Sequence, residues 1–163
     1  MEEQIKDINL AIKSGAYLSA LALALTIPDI CGKNMLVSKG KKKPTNKERY
    51  IQWCEKYLPE LWKFGVTGEH IYRLRCSFLH ENTASIENFN ICRLTAGFYI
   101  TLREFTQSGI DSNGEKHCLR YERTFDIDIP QFCNAICDAA KAFCKEFEIA
   151  GKPLPPELNL IFL

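Results

Sequence analysis

The chain has 163 residues, 46% of them hydrophobic and 25% charged, with a formal net charge of +1. A chain of this length defaults to one domain and buries about 68–70% of its unfolded surface, enough for a core without cross-links. A balance this close to neutral excludes a global field toward nucleic acid or membrane, so any contact with an anionic polymer must come from a local patch.

Residues 3–14 read as a helix, with Ile5, Ile8 and Ile12 at helical spacing. Gly15 allows a break, and a second helix runs over 16–27, so rich in Leu and Ala that it lacks a polar face. Such a helix belongs at the centre of a bundle. Pro28 loosens it and Gly32 ends the turn. The apolar stretch is too short for a membrane span. Glu2, Glu3 and Asp7 precede it, unlike the basic start of a signal peptide. A cytoplasmic protein with no membrane association is expected.

Residues 33–47 carry Lys33, Lys39, Lys41, Lys42, Lys43 and Lys47 around Gly40 and Pro44, and read as a solvated loop. Thr45 or Asn46 caps the next helix, whose apolar face is Ile51, Cys54 and Leu58. Pro59 starts a short turn through Trp62 and Phe64. Thr67 caps a fourth helix, 68–80, with Ile71, Leu74 and Phe78 facing the core and Glu81, Asn82 and Thr83 at its exit.

The character changes after residue 88. Residues 91–105 hold Cys92, Thr95, Phe98, Tyr99, Ile100 and Thr101, a β-branched and aromatic mixture around Gly97. Residues 109–114 have turn chemistry, and Leu119, Tyr121, Arg123, Phe125, Ile127 and Ile129 then alternate along one face. The pattern predicts a small antiparallel β-hairpin at about 89–129, with a helix over 91–106 as the alternative for its first arm. Pro130 opens a last helix reaching Ile149, its face being Phe132, Ile136, Ala139, Phe143 and Phe147. Pro153, Pro155 and Pro156 extend the 152–163 segment toward an apolar tail, 158–163. The expected architecture is mainly α, a single helical domain over 1–163 with the hairpin inserted before the last helix.

The chain has 8 cysteines and no C-x-x-C pair. Most lie in apolar helical patterns, where a reduced cysteine acts as a small hydrophobe. Cys133 and Cys137 share a helix face and pair with His117 and Cys118 as halves of a metal site only on a less favoured reading, because zinc ligands keep tighter spacing. No metal and no cofactor is expected.

The most informative stretch is Leu74-Arg75-Cys76-Ser77-Phe78-Leu79-His80-Glu81. Arginine forks onto phosphate oxygens and histidine exchanges protons near neutrality, together a minimal kit for cleaving a phosphodiester without a metal. On a continuous helix Arg73 returns to nearly the face of His80, roughly 10 Å along the axis, whereas Arg75 lies well round the cylinder. Pairing Arg75 with His80 therefore predicts that the helix ends or loosens around Leu79.

This stretch resembles the R-x4-6-H motif of the HEPN superfamily, typically Leu-Arg-Asn-x-x-x-His-Gly. Cys76 stands where the family commonly has a polar residue, and Glu81 where it has glycine. The resemblance implies a helical bundle and a metal-independent endoribonuclease that acts as a homodimer, with an antitoxin or regulatory protein as a further partner. In that scheme Arg75 and His80 are catalytic, and Arg73, Ser77, Tyr72 and Asp29 position the RNA. Lys39, Lys41, Lys42 and Lys43 form an RNA-backbone patch, or simply a solvated loop. Asp29 either partners Arg75 or caps the turn after the buried helix. The alternative function is a non-catalytic binding or regulatory module for a nucleotide or protein. A further alternative, an all-α nucleotide pyrophosphohydrolase, rests on Glu2, Glu3 and Asp7 with Glu55 and Glu60 as a weak second set. His70 and His117 have no evident companions.

Overall fold

The structure, a computed structural model, describes residues 1–35, 43–62, 66–81, 91–95, 101–110, 113 and 116–158. It is mainly helical. In chain order the elements are α1 (Glu2–Lys13), α2 (Tyr17–Lys33), α3 (Asn46–Tyr57), α4 (Pro59–Trp62), α5 (Gly68–Glu81), β1 (Ile91–Thr95), β2 (Thr101–Ile110), β3 (Lys116–Asp128) and α6 (Ile129–Ile149). A 3-10 turn, Pro156–Leu158, follows.

The helix without a polar face is the hub. Ala20, Leu21, Ala24, Leu25 and Ile27 of α2 are fully buried, and α2 packs against α1, α3, α5 and α6. It does not stop at residue 27, however, but continues through Pro28 to Lys33. A proline removes one backbone donor and crowds the preceding turn. In the same turn the buried Tyr50 hydroxyl gives a hydrogen bond to the Leu25 carbonyl at 3.1 Å, which ties α2 to α3 beside the proline. Gly32, expected to end the turn, lies inside the helix instead. A Cβ there would sit 2.9 Å from the Arg49 carbonyl oxygen, so the absent side chain sets how closely α2 approaches α3. Gly68 does the same for α5, where a Cβ would meet the Ile51 carbonyl oxygen at 2.7 Å. These two contacts draw α2, α3 and α5 together.

Helix starts follow from their caps. Thr45 Oγ1 accepts from the Glu48 backbone N–H at 3.2 Å while the Glu48 carboxylate accepts from the Thr45 N–H, a reciprocal capping box. Thr45→Ala lowers stability by about 1 kcal/mol, measured as a shift in the urea midpoint at unchanged slope. Thr67 is the equivalent for α5: its hydroxyl accepts from the His70 N–H at 3.4 Å, and His70 Nδ1 accepts from the Thr67 N–H at 3.1 Å. His70, without a companion in the sequence, is thus half of a cap. Asp128 Oδ1 caps α6 through the Gln131 N–H at 2.8 Å, with Pro130 in the first turn.

The α6 face is buried as its spacing requires: Phe132, Ile136, Ala139, Phe143 and Phe147, flanked by Cys133 and Cys137. Burial pushes the Cys133 thiol up to about 12 and Cys137 up to about 11, so both are protonated core residues at neutral pH. On α3 the buried stripe is Tyr50, Trp53 and Cys54, with Ile51 only half-buried. The aromatic pair replaces Ile51 because α3 presents that side to α2. Phe64 lies outside the described residues.

The sheet has the order β1-β3-β2. β1 runs parallel to β3, from Ile91 opposite Thr124 to Thr95 opposite Asp128. β2 runs antiparallel to β3, from Thr101 opposite Asp126 to Ile110 opposite Lys116. Gln107 pairs with Arg120 and Ser108 with Cys118, so Leu119 is an extra residue where the register shifts. The segment expected as one arm is therefore two strands, both on β3, and Ile129 belongs to the following helix. After α6, Leu158 is buried and its carbonyl accepts from the Met1 amino group, which docks this part of the tail on the bundle. Residues 159–163 lie outside the described residues. Among the described residues no helix is long and apolar enough to cross a membrane.

Candidate functional site

Helix α5 does not loosen at Leu79. It stays helical through Glu81, so Arg75 and His80 are roughly 140° apart around the helix. They meet nonetheless, with Arg75 Nη1 lying 3.3 Å from His80 Nε2. The long arginine side chain closes the gap that the backbone leaves open. A guanidinium has no acceptor, so this contact is a hydrogen bond only with Nε2 accepting and the ring proton on Nδ1. His80 is exposed at the helix C-terminal turn.

The guanidinium is directed by a second helix. Its Nε donates to Asp29 Oδ2 at 2.8 Å, and the two side chains are 22% and 25% exposed. Asp29 occupies this position because α2 continues past Pro28, so the residue that looked like a turn cap is the counter-ion of Arg75. The same guanidinium lies 3.9 Å from Cys76 Sγ. Burial disfavours its charge, but Asp29 and Cys76 outweigh that effect and hold its pKa above the ordinary arginine value. Among the described residues Nη2 makes no hydrogen bond, which leaves one edge of the fork for an anion.

Beside this pair runs a band of charge and rings. Arg73 Nε donates to Glu69 Oε1 at 3.0 Å, and Lys47 Nζ donates to the same oxygen at 2.8 Å. The Lys47 hydrogen bond, followed by that from Arg73, outweighs burial and holds the Glu69 carboxyl below its ordinary value. Lys47 Nζ also lies 5.5 Å from the centre of the half-buried Tyr72 ring. That ring meets Tyr50 edge-on, with centroids 5.4 Å apart and planes at 73°.

Ser77 departs from expectation. It is 6% exposed, and its hydroxyl donates to the Arg73 and Leu74 carbonyls at 3.1 and 3.3 Å. A serine that bonds back to its own helix has no free donor for a substrate. The structure thus brings together Arg75, His80 and Asp29, with Arg73 and Tyr72 alongside, and withdraws Ser77. Lys39, Lys41 and Lys42 lie outside the described residues, while Lys43 is exposed. Lys47, the last of the lysine run, bonds to Glu69 of α5. The signal for it was its place at the start of α3, opposite the acidic first turn of α5.

Two clefts, of about 380 and 420 Å³, lie along α6 rather than at Arg75 and His80. Glu3 is taken up by Lys6, and no group of three or more His, Cys, Asp or Glu among the described residues is arranged to hold a metal. The side chains of His117 and Cys118 are outside the description. Compared with family models, curated proteins and solved structures, the chain matches none.

Proposed function

We propose that this chain is an HEPN-like protein acting on RNA, a metal-independent endoribonuclease with Arg75 and His80 as its catalytic pair. The observation that carries the reading is the contact at 3.3 Å between an oriented guanidinium and an exposed imidazole. A scissile phosphate seated on Nη1 and Nη2 of Arg75 displaces that contact and frees His80 Nε2. The imidazole then takes the proton of the ribose 2′-hydroxyl as its oxygen attacks phosphorus. Arg75 stabilises the charge that grows on the phosphoryl oxygens. The bond to the 5′-oxygen breaks, leaving a 2′,3′-cyclic phosphate and, once protonated, a 5′-hydroxyl. Having accepted one proton, His80 is not the donor for the other in the same step, and His80 of a second copy supplies it. Arg73 and Lys47 meet flanking phosphates, and Tyr72 offers a ring for a base.

Purified protein incubated with mixed RNA in EDTA tests this. Cleavage with cyclic-phosphate ends is expected, and its loss in both Arg75→Ala and His80→Ala. Intact RNA with the wild-type protein, or cleavage that survives His80→Ala, overturns the enzyme reading.

A second reading, the non-catalytic binding module, is favoured by one observation: Arg75 already has a carboxylate partner in Asp29. On that reading a nucleotide or a protein partner binds and RNA is not cut, and Arg75→Ala weakens binding while His80→Ala does not.

A further inference from the structure

The 380 Å³ cleft between α3 and α6 has no part in the chemistry above, yet it is built like a ligand site. Its floor is aromatic. Tyr57 meets Phe143 edge-on at 5.5 Å, and Phe143 meets Phe147 at 5.2 Å, with Met35 completing the wall. Volumes of about 300–1,000 Å³ with apolar walls and few convergent polar groups characterise small-molecule sites.

The polar groups gather at one end. Tyr57 Oη donates to Glu146 Oε2 at 2.7 Å, and Lys56 Nζ lies 2.9 Å from the same oxygen. Burial pushes the Glu146 carboxyl up, but Lys56 and Tyr57 outweigh this and hold it below its ordinary value. Lys152 also lines the cleft, is exposed, and has no ion-pair partner among the described residues. Lys56 and Glu146 offset each other, which leaves Lys152 as the uncompensated charge of the lining among the described residues. The excess charge at the mouth is positive, above an apolar floor. Ile149, 78% exposed, adds an apolar lip.

We infer that this cleft binds a small amphipathic carboxylate, an alkyl or arylalkyl acid whose apolar body lies on Phe143 and Phe147 and whose head group pairs with Lys152. A cation is disfavoured because Glu146 is already spent on Lys56 and Tyr57. A neutral apolar molecule would leave Lys152 without a counter-ion. The inference is independent of the RNA reading, since no residue is shared with it.

Decanoate titrated calorimetrically into the full chain is the test, with decanol as the neutral control. One saturable site is expected, with decanol weaker by about tenfold and Lys152→Glu weakening decanoate by about tenfold or more. Ala150→Trp, a change at an exposed residue of the cleft, removes binding. Methyl resonances of Met35 and Ile149 in the wild-type protein shift with the same saturation curve, so the result does not depend on how a variant folds. Absence of saturable binding overturns the proposal. So does equal affinity for decanol, or a Lys152→Glu protein that binds decanoate as the wild type does.

Discussion

On the proposed ribonuclease reading, Arg75→Lys leaves the fold standing and lowers RNA cleavage by about 10²–10³-fold, the cost of losing one preorganised donor to a developing oxyanion. The positive charge survives the change, but the geometry does not. Arg75 gives Nε to Asp29 and Nη1 to His80 from one rigid plane, with Nη2 unbonded among the described residues. An ammonium group is a point charge on a flexible stem and cannot hold Asp29 and a bidentate phosphate in one plane. Asp29→Asn keeps an oxygen acceptor for Nε but removes its charge, and gives a smaller loss than Arg75→Lys. Single-turnover cleavage rates in EDTA make the comparison, with circular dichroism confirming the folded state. If Arg75→Lys cuts RNA at the wild-type rate, the oriented fork is irrelevant and the residue serves only as charge.

Trp53→Ala costs about 3–5 kcal/mol, enough to threaten folding at ordinary temperature. Trp53 is fully buried and packs against Tyr57 with centroids 5.4 Å apart. It links the α3 stripe to the aromatic series that continues through Phe143 to α6. Among the described residues its indole Nε1 has no hydrogen-bond partner, so its contribution is apolar area and dispersion. Trp53→Phe provides the informative comparison. It removes an unsatisfied donor whose burial costs about 1–3 kcal/mol, and this offsets the lost area. The phenylalanine variant is therefore expected within about 1 kcal/mol of wild type by urea denaturation. A loss as large as that of the alanine variant would mean that Nε1 does have a partner in solution.

Much of the candidate site was legible along the chain, but for a reason that the structure alters. The spacing of Arg75 and His80 pointed to a shared crevice provided the helix broke, and the helix does not break. Side-chain length substitutes for backbone distortion, a freedom that backbone periodicity does not express. The pairing of Arg73 with Glu69 was readable because both lie on one helix, four residues apart. Ser77 misled because its residue type suits a substrate contact equally well as a bond to its own helix. Only burial separates the two.

What the sequence by itself determined is local. Thr45, Thr67 and Pro130 mark helix starts, Ile5 and Ile8 turn α1 inward, and the Leu- and Ala-rich segment has nowhere to go but the centre. Each of these depends on residues within a turn or two of one another. The tertiary structure decided the rest: that α2 runs on through Pro28, that Asp29 thereby faces Arg75, that Gly32 and Gly68 let α3 close on both neighbours, and that β3 takes a strand on each side. Those outcomes turn on which partner meets a charge, a bare glycine backbone or a strand edge. A partner from another element has no fixed offset in the chain, and so leaves no periodic trace in it.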